Sequence, residues 1–232
     1  MGYSLFAIYE GPGQWSSPLG TYFRGAPLQW LRSRAGALDV DLFVPEIGKT
    51  VLFDDGPGPA ALLEFSGARP EDLETLAAEA RFQRYFLRNP TELAPGIEAT
   101  FGLFHALASP VGGAAKPAPR TAGLSFLVRY YGPMANEAAF HRFYTANHPP
   151  LLGRFPDIRN VFCYVPETAS LSGLPVSAVR LGNEVVFDDL AHLNTALQSD
   201  VLPLLKADSA KFPPFGHSTH HPMVREKLLF CA

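Results

Sequence analysis

Cysteine is almost missing from this 232-residue chain: Cys163 and Cys231 are the two present. That is too few for the cross-linked framework of a small exported domain, so free thiols in a reducing compartment are expected. No apolar run approaches the ~20 residues that cross a bilayer, and no membrane partner is expected. An excess of one charge is also missing. The 19 Lys and Arg against 22 Asp and Glu leave a formal net charge of −3, and the basic residues are scattered instead of forming a stripe, which argues against a nucleic-acid partner. The opening residues MGYSLFAIYE have no cationic region and their apolar stretch stops at Glu10, the pattern of a strand and not of an export signal. Gly2 begins no myristoylation motif, because Phe6 stands where that motif needs Ser or Thr. A cytoplasmic location is the expectation.

What is present is ample apolar material, 47% of residues, in a chain long enough for one large domain or two of roughly 100 to 120 residues. An internal repeat decides between these. Ser4, Tyr9, Gly11 and Pro12 recur as Ser125, Tyr130, Gly132 and Pro133, and Val44-Pro45-Glu46 recurs as Val165-Pro166-Glu167. Both sets lie at one offset of 121 residues, which points to two copies of one unit. Between the matched points both copies show helical spacing, with Leu19, Tyr22, Phe23, Ala26 and Trp30 in the first and Phe140, Phe143, Tyr144, Asn147 and Leu151 in the second. A short apolar strand follows in each, Ala61 to Phe65 or Glu184 to Phe187. A second helix then opens at Pro70 or after Asp188-Asp189.

The order is β-α-β-β-α-β twice. The predicted fold class is α+β: tandem ferredoxin-like repeats whose antiparallel sheets pack face to face into an intrachain α+β barrel. The predicted division is a first repeat over residues 1–108, a Pro-, Gly- and Ala-rich linker over 109–121, and a second repeat over 122–232. Asp54-Asp55 and the following Gly-Pro-Gly-Pro read as a turn-rich insertion, with no phosphate-binding or calcium-loop spacing.

In the second copy, Phe140, Tyr144 and His148 precede Pro150-Leu151, followed by Arg154-Phe155-Pro156-Asp157-Ile158 and by the strand Glu184-Val185-Val186-Phe187-Asp188. This resembles the EthD family of dimeric α+β barrel proteins, with its F-x-x-x-Y-x-x-x-H-x-P-L helix, its R-L-P-G-L turn (Asp157 here where Gly is usual) and its third strand. The first copy is degenerate: Gly20, Phe23 and Pro27 stand at the positions of His141, Tyr144 and His148. The resemblance implies a bacterial protein associated with small hydrophobic or phenolic metabolites, within a superfamily of lactone isomerases, dehydratases, cyclases and monooxygenases.

Phe140, Tyr144, His148 and Leu152 lie four apart and form one helical ridge, so His148 is expected to face the sheet. An imidazole there can act as general acid or base, with Tyr144 one turn earlier orienting it or donating to an oxyanion. The alternative is that His148 caps its helix, since Pro149-Pro150 disfavours continuation. In the opening strand of the second copy, Arg129 and Tyr131 alternate with Phe126, Val128 and Tyr130. If their face is interior, Arg129 can hold a carboxylate or enolate while Tyr131 stacks on a ring; if not, both are surface residues. His217, His220 and His221 raise a metal site, but strand alternation splits them between two faces; no metal ligands are assigned, and His220 is kept as a pocket residue with His141. Cys163 is a small buried hydrophobe or, if its face lines the pocket, a nucleophile or acid there, and it is kept among the substrate-binding candidates.

Three functions stay open. The first is a cofactor-independent isomerase or lyase with His148 and Tyr144 catalytic and Arg129, Tyr131, His141, Cys163 and His220 binding substrate. The second is a non-catalytic carrier of a similar ligand, and the third a haem- or metal-dependent oxygenase. No cofactor is expected for the first two, and either a monomer or a homodimer is compatible with a barrel closed within one chain.

Overall fold

The computed structural model describes residues 2–34, 38–168 and 171–230. Cys231 lies outside the described residues. The first half runs β1 (Gly2–Glu10), α1 (Ser16–Arg24), α2 (Ala26–Arg32), β2 (Asp39–Pro45), β3 (Ala61–Gly67), α3 (Pro70–Ala78), α4 (Ala80–Gln83), a π-turn over Arg84–Arg88, α5 (Asn89–Leu93) and β4 (Glu98–Ser109). The second runs β5 (Gly123–Tyr131), α6 (Glu137–Leu152), β6 (Asn160–Pro166), β7 (Val179–Phe187), α7 (Leu190–Ala196), α8 (Val201–Ser209) and β8 (His217–Leu229).

Each half is the expected ferredoxin-like unit, its third β-strand beside its first. The strands close in the order β1-β3-β2-β8-β5-β7-β6-β4, and every pairing is antiparallel. The seams are β2 with β8 and β4 with β6, so each half lends the other the neighbour that an open sheet edge would otherwise lack.

Alternation along each strand separates two cores. In β1, Leu5, Ala7 and Tyr9 pack outward against the helices, while Ser4, Phe6 and Ile8 point into the barrel. In β5, Phe126, Val128 and Tyr130 pack outward and Leu127 inward. Phe6, Ile8, Leu62, Phe104, Leu127 and Tyr164 fill the barrel until about 30 Å³ of space is left among them.

Near the N-terminal ends of β1 and β5 the barrel interior is charged. Glu64 accepts from Ser4 Oγ (2.6 Å) and from Arg120 Nη1 (2.6 Å). Glu184 accepts from Ser125 Oγ (2.5 Å), Tyr164 Oη (2.6 Å) and Arg225 Nη1 (2.8 Å). The two Ser–Glu pairs belong to matching strands of the two halves. Arg120 comes from the stretch expected to be a plain linker and also donates to Tyr164 Oη (2.8 Å), so that stretch plugs one end of the barrel.

Two helical expectations change. Gly25, at φ −87° and ψ −127°, breaks the first helix into α1 and α2. In the second half α6 continues through Pro149 and Pro150 to Leu152, because proline's fixed φ is helical and what it costs is an amide donor; Gly153 N then donates to Pro149 O (3.0 Å). No helix among the described residues is long and apolar enough to cross a membrane.

Candidate functional site

Helix α6 starts where the Asn136 side chain accepts a bond from Ala139 N (2.9 Å), and Glu137 lies in its first turn. From that start the four-residue ridge falls on the sheet side: Phe140, Tyr144, His148 and Leu152 are all buried. His148 does not cap the helix. Its Nδ1 lies 2.8 Å from Asp208 Oδ2, and both residues are 8% exposed. Asp208 sits on the buried stripe of α8 with Val201 and Leu205.

His148, with Asp208 behind it, opens onto a cavity of about 570 Å³ between α6, α8 and the outer face of β5 and β7. Its walls are mostly apolar or aromatic, including Phe126, Tyr130, Tyr144, Phe155, Phe212 and Phe215. A carboxylate only accepts, so it places the proton of a neutral imidazole on Nδ1 and leaves Nε2 with its lone pair free. Burial pushes the His148 pKa below its ordinary value, and the pull of Asp208 in the other direction does not restore it. An imidazole in this state is a base near neutrality, and once protonated it is stabilised by the carboxylate behind it. The Tyr144 ring lies 4.9 Å from His148 and 5.2 Å from Tyr130, centroid to centroid. Its buried hydroxyl faces the Tyr130 phenol without a well-formed hydrogen bond. Burial raises its pKa well above the usual phenol value, so it stays a neutral donor.

The cavity has a wall that the sequence reading missed. The turn-rich insertion between β2 and β3 reaches across to the second half, where Leu52 and Phe53 line the cavity. Val51 N donates to Asn194 Oδ1 (2.9 Å), and Phe53 stacks on His220 at 4.1 Å with planes 13° apart. The same insertion supplies Asp55, whose Oδ2 lies 2.7 Å from both His220 N and His220 Nδ1. Burial lowers the His220 pKa despite this carboxylate.

The residues expected to form one site are divided by the sheet. His148, Tyr144 and His220 line the outer cavity, whereas Arg129 and Tyr131 point into the barrel mouth on the opposite face. Arg129 is ion-paired there with Glu10, and Tyr131 stacks on His217 at 4.7 Å. His221 lines the same mouth, its pKa pushed down to about 4 by burial and then by Arg129. Cys163 packs in the core under α6, and burial pushes its thiol up to about 12. His141 lies 2.7 Å from the Arg180 carbonyl oxygen, outside the cavity wall. Among the described residues no three His, Cys, Asp or Glu side chains converge as a metal site.

In the first half, Tyr9 and Phe23 occupy the positions of Tyr130 and Tyr144, with rings 5.0 Å apart. Phe86, from the π-turn, packs against Phe23 and Phe65, and its carbonyl accepts from Tyr9 Oη (2.6 Å). Aromatic side chains thus fill the counterpart of the second half's cavity.

No family model matches the chain, and no curated protein matches it. Solved structures do. An anthrone oxidase-like protein is 14% identical with a TM-score of 0.60, over 100% of this chain and 96% of its own. A candidate monooxygenase from Fusobacterium nucleatum is 7% identical with a TM-score of 0.58, over 98% and 92% of the two chains. Another, from Lactobacillus acidophilus NCFM, is 8% identical with a TM-score of 0.53, over 97% and 93%. At these identities the likeness speaks to architecture, and that architecture is the dimeric α+β barrel, here completed by the two halves of one chain.

Proposed function

We propose that this chain is an EthD-like protein that binds a small hydrophobic or phenolic molecule in the cavity beside α6 and α8. There it acts as a cofactor-independent acid–base catalyst of the isomerase or lyase kind. The observation that carries the reading is the His148–Asp208 pair, 2.8 Å apart, set in a cavity of otherwise largely apolar and aromatic walls. His148 Nε2 takes a proton from carbon next to a carbonyl, Tyr144 turns its hydroxyl from the Tyr130 phenol to donate toward the developing oxyanion, and the imidazolium returns the proton to a second position. Arg129, Tyr131, His141 and Cys163 stand off the cavity wall, and on this reading they are not substrate contacts. The division into repeats 1–108 and 122–232, descended from one duplicated unit, belongs to the same proposal, as does a cytoplasmic monomer or homodimer.

The named structures support the reading by their fold alone; they are described as an anthrone oxidase-like protein and as monooxygenases. The test needs no knowledge of the natural substrate. Hydrogen–deuterium exchange at the activated carbon of 2-tetralone, followed by NMR in D2O, should run faster with protein than with buffer. Replacing His148 with Ala should slow the protein-dependent part by about a hundredfold or more. If 2-tetralone binds but its exchange is no faster than in buffer, the protein is a carrier and the catalytic reading is wrong.

A further inference from the structure

The cavity is served by two histidine–carboxylate pairs, not one. His148 on α6 meets Asp208 on α8, Nδ1 to Oδ2 at 2.8 Å. His220 on β8 meets Asp55 of the insertion between β2 and β3, Nδ1 to Oδ2 at 2.7 Å. Both histidines line the same space. Neither Nε2 has a hydrogen-bond partner among the described residues. One pair stands in the helical wall and the other in the sheet wall. The surfaces between them include Val128, Phe126 and Tyr130 of β5, onto whose outer face both histidines look.

The chemistry of the two pairs is the same. Each carboxylate accepts from Nδ1 and so presents Nε2 to the cavity as an acceptor. Two acceptors in an apolar enclosure are each left without a partner when a purely apolar ligand displaces water, and that is costly. A ligand with one hydroxyl satisfies one of them. A ligand with a hydroxyl at each end satisfies both, while its ring covers the aromatic walls.

We infer that His220, positioned by Asp55, is a second recognition residue of this cavity, and that the cavity selects a flat aromatic molecule carrying two separated phenol or enol hydroxyls, one for His148 and one for His220. The inference rests on the proposed ligand site and adds its substrate class. It also gives the insertion a role: the first half, which lacks the ridge histidine, supplies the carboxylate that orients the second acceptor. Phe53 holds the His220 ring from one side at 4.1 Å, so the imidazole is fixed by stacking as well as by its hydrogen bond.

Fluorescence titration of the whole protein with naphthalene, 2-naphthol and the positional isomers of dihydroxynaphthalene tests this. In the wild type the best-fitting diol should bind about three- to tenfold tighter than 2-naphthol, the worth of one added hydrogen bond. In His220→Ala and in Asp55→Ala the ratio of diol to 2-naphthol affinity should fall to about one, while circular dichroism and urea unfolding that match the wild type show the fold intact. A general structural loss would lower both affinities together and leave the diol's advantage in place, so the ratio separates recognition from folding. The inference is overturned if no diol outbinds 2-naphthol, or if the advantage survives in His220→Ala. If neither 2-naphthol nor any diol binds the wild type, the ligand site itself is wrong and this inference falls with it. If 2-naphthol binds through His148 and the diols gain nothing, only the second recognition point is wrong.

Discussion

Asp41 lies inside the barrel with no exposed surface, and neither of its carboxylate oxygens accepts a hydrogen bond. Arg120 and Arg225 approach it at 3.9 Å, too far for a hydrogen bond and close enough only for a charge interaction. Burial, and then the neighbouring Glu64, push its pKa from 3.8 to about 6. A carboxylate whose folded-state pKa lies above its unfolded value holds its proton more firmly when folded. Its ionised form therefore costs stability at pH above about 6, and the cost fades as pH falls toward 4. At ~1.36 kcal/mol per pKa unit, the cost grows by about 2 kcal/mol between pH 4.5 and pH 7.5. Asp41→Asn removes the charge at every pH but leaves a buried amide with the same lack of partners, a penalty that does not vary with pH. Urea unfolding of both proteins at the two pH values cancels that constant part. Relative to wild type, the variant should be about 2 kcal/mol better off at pH 7.5 than at pH 4.5. A difference that is flat with pH, or of opposite sign, would refute the placement in the barrel of an ionisable Asp41 that accepts no hydrogen bond.

Other consequences are more local. Cys163, buried and with its thiol pushed up to about 12, should resist iodoacetamide in the native protein and react after unfolding; peptide mass spectrometry on Cys163 reads this directly. In Asp208→Asn the group that pulls the His148 pKa upward is gone while burial still pushes it down, so an NMR titration should find it lower than in wild type. Arg225→Met leaves Glu184 in the barrel without its nearest cation and should cost about 3–5 kcal/mol at pH 7 by urea unfolding, with part regained in the double variant that also carries Glu184→Gln.

Much of the architecture can be read from residue spacing. The common offset of Ser4 with Ser125 and of Val44 with Val165 leads to the expectation of two like units, and the two halves of the barrel carry the same strand order and a Ser–Glu pair each. The ridge from Phe140 to Leu152 likewise places His148 correctly on the inner side of its helix. Asp208 was missed, although a signal existed: it falls at the seventh position after Val201 and the third after Leu205, so a carboxylate sits on an apolar helical stripe. The division of Arg129 from His148 was not legible, because both faces of a barrel strand are buried and hydrophobic alternation cannot say which face is inside. Asp55 and Phe53 were hidden for another reason. Gly and Pro mark a turn-rich segment but carry no information about which distant surface it will cover.

On the proposed function the ligand binds between α6, α8 and the outer face of the second half's sheet, and not inside the barrel. A crystal structure with 2-naphthol bound tests it most directly. The ring should lie against Tyr144 and Phe212 with its hydroxyl at Nε2 of His148 or His220. A ring found among Phe6, Leu127 and Arg129 would place the ligand inside the barrel and overturn this assignment.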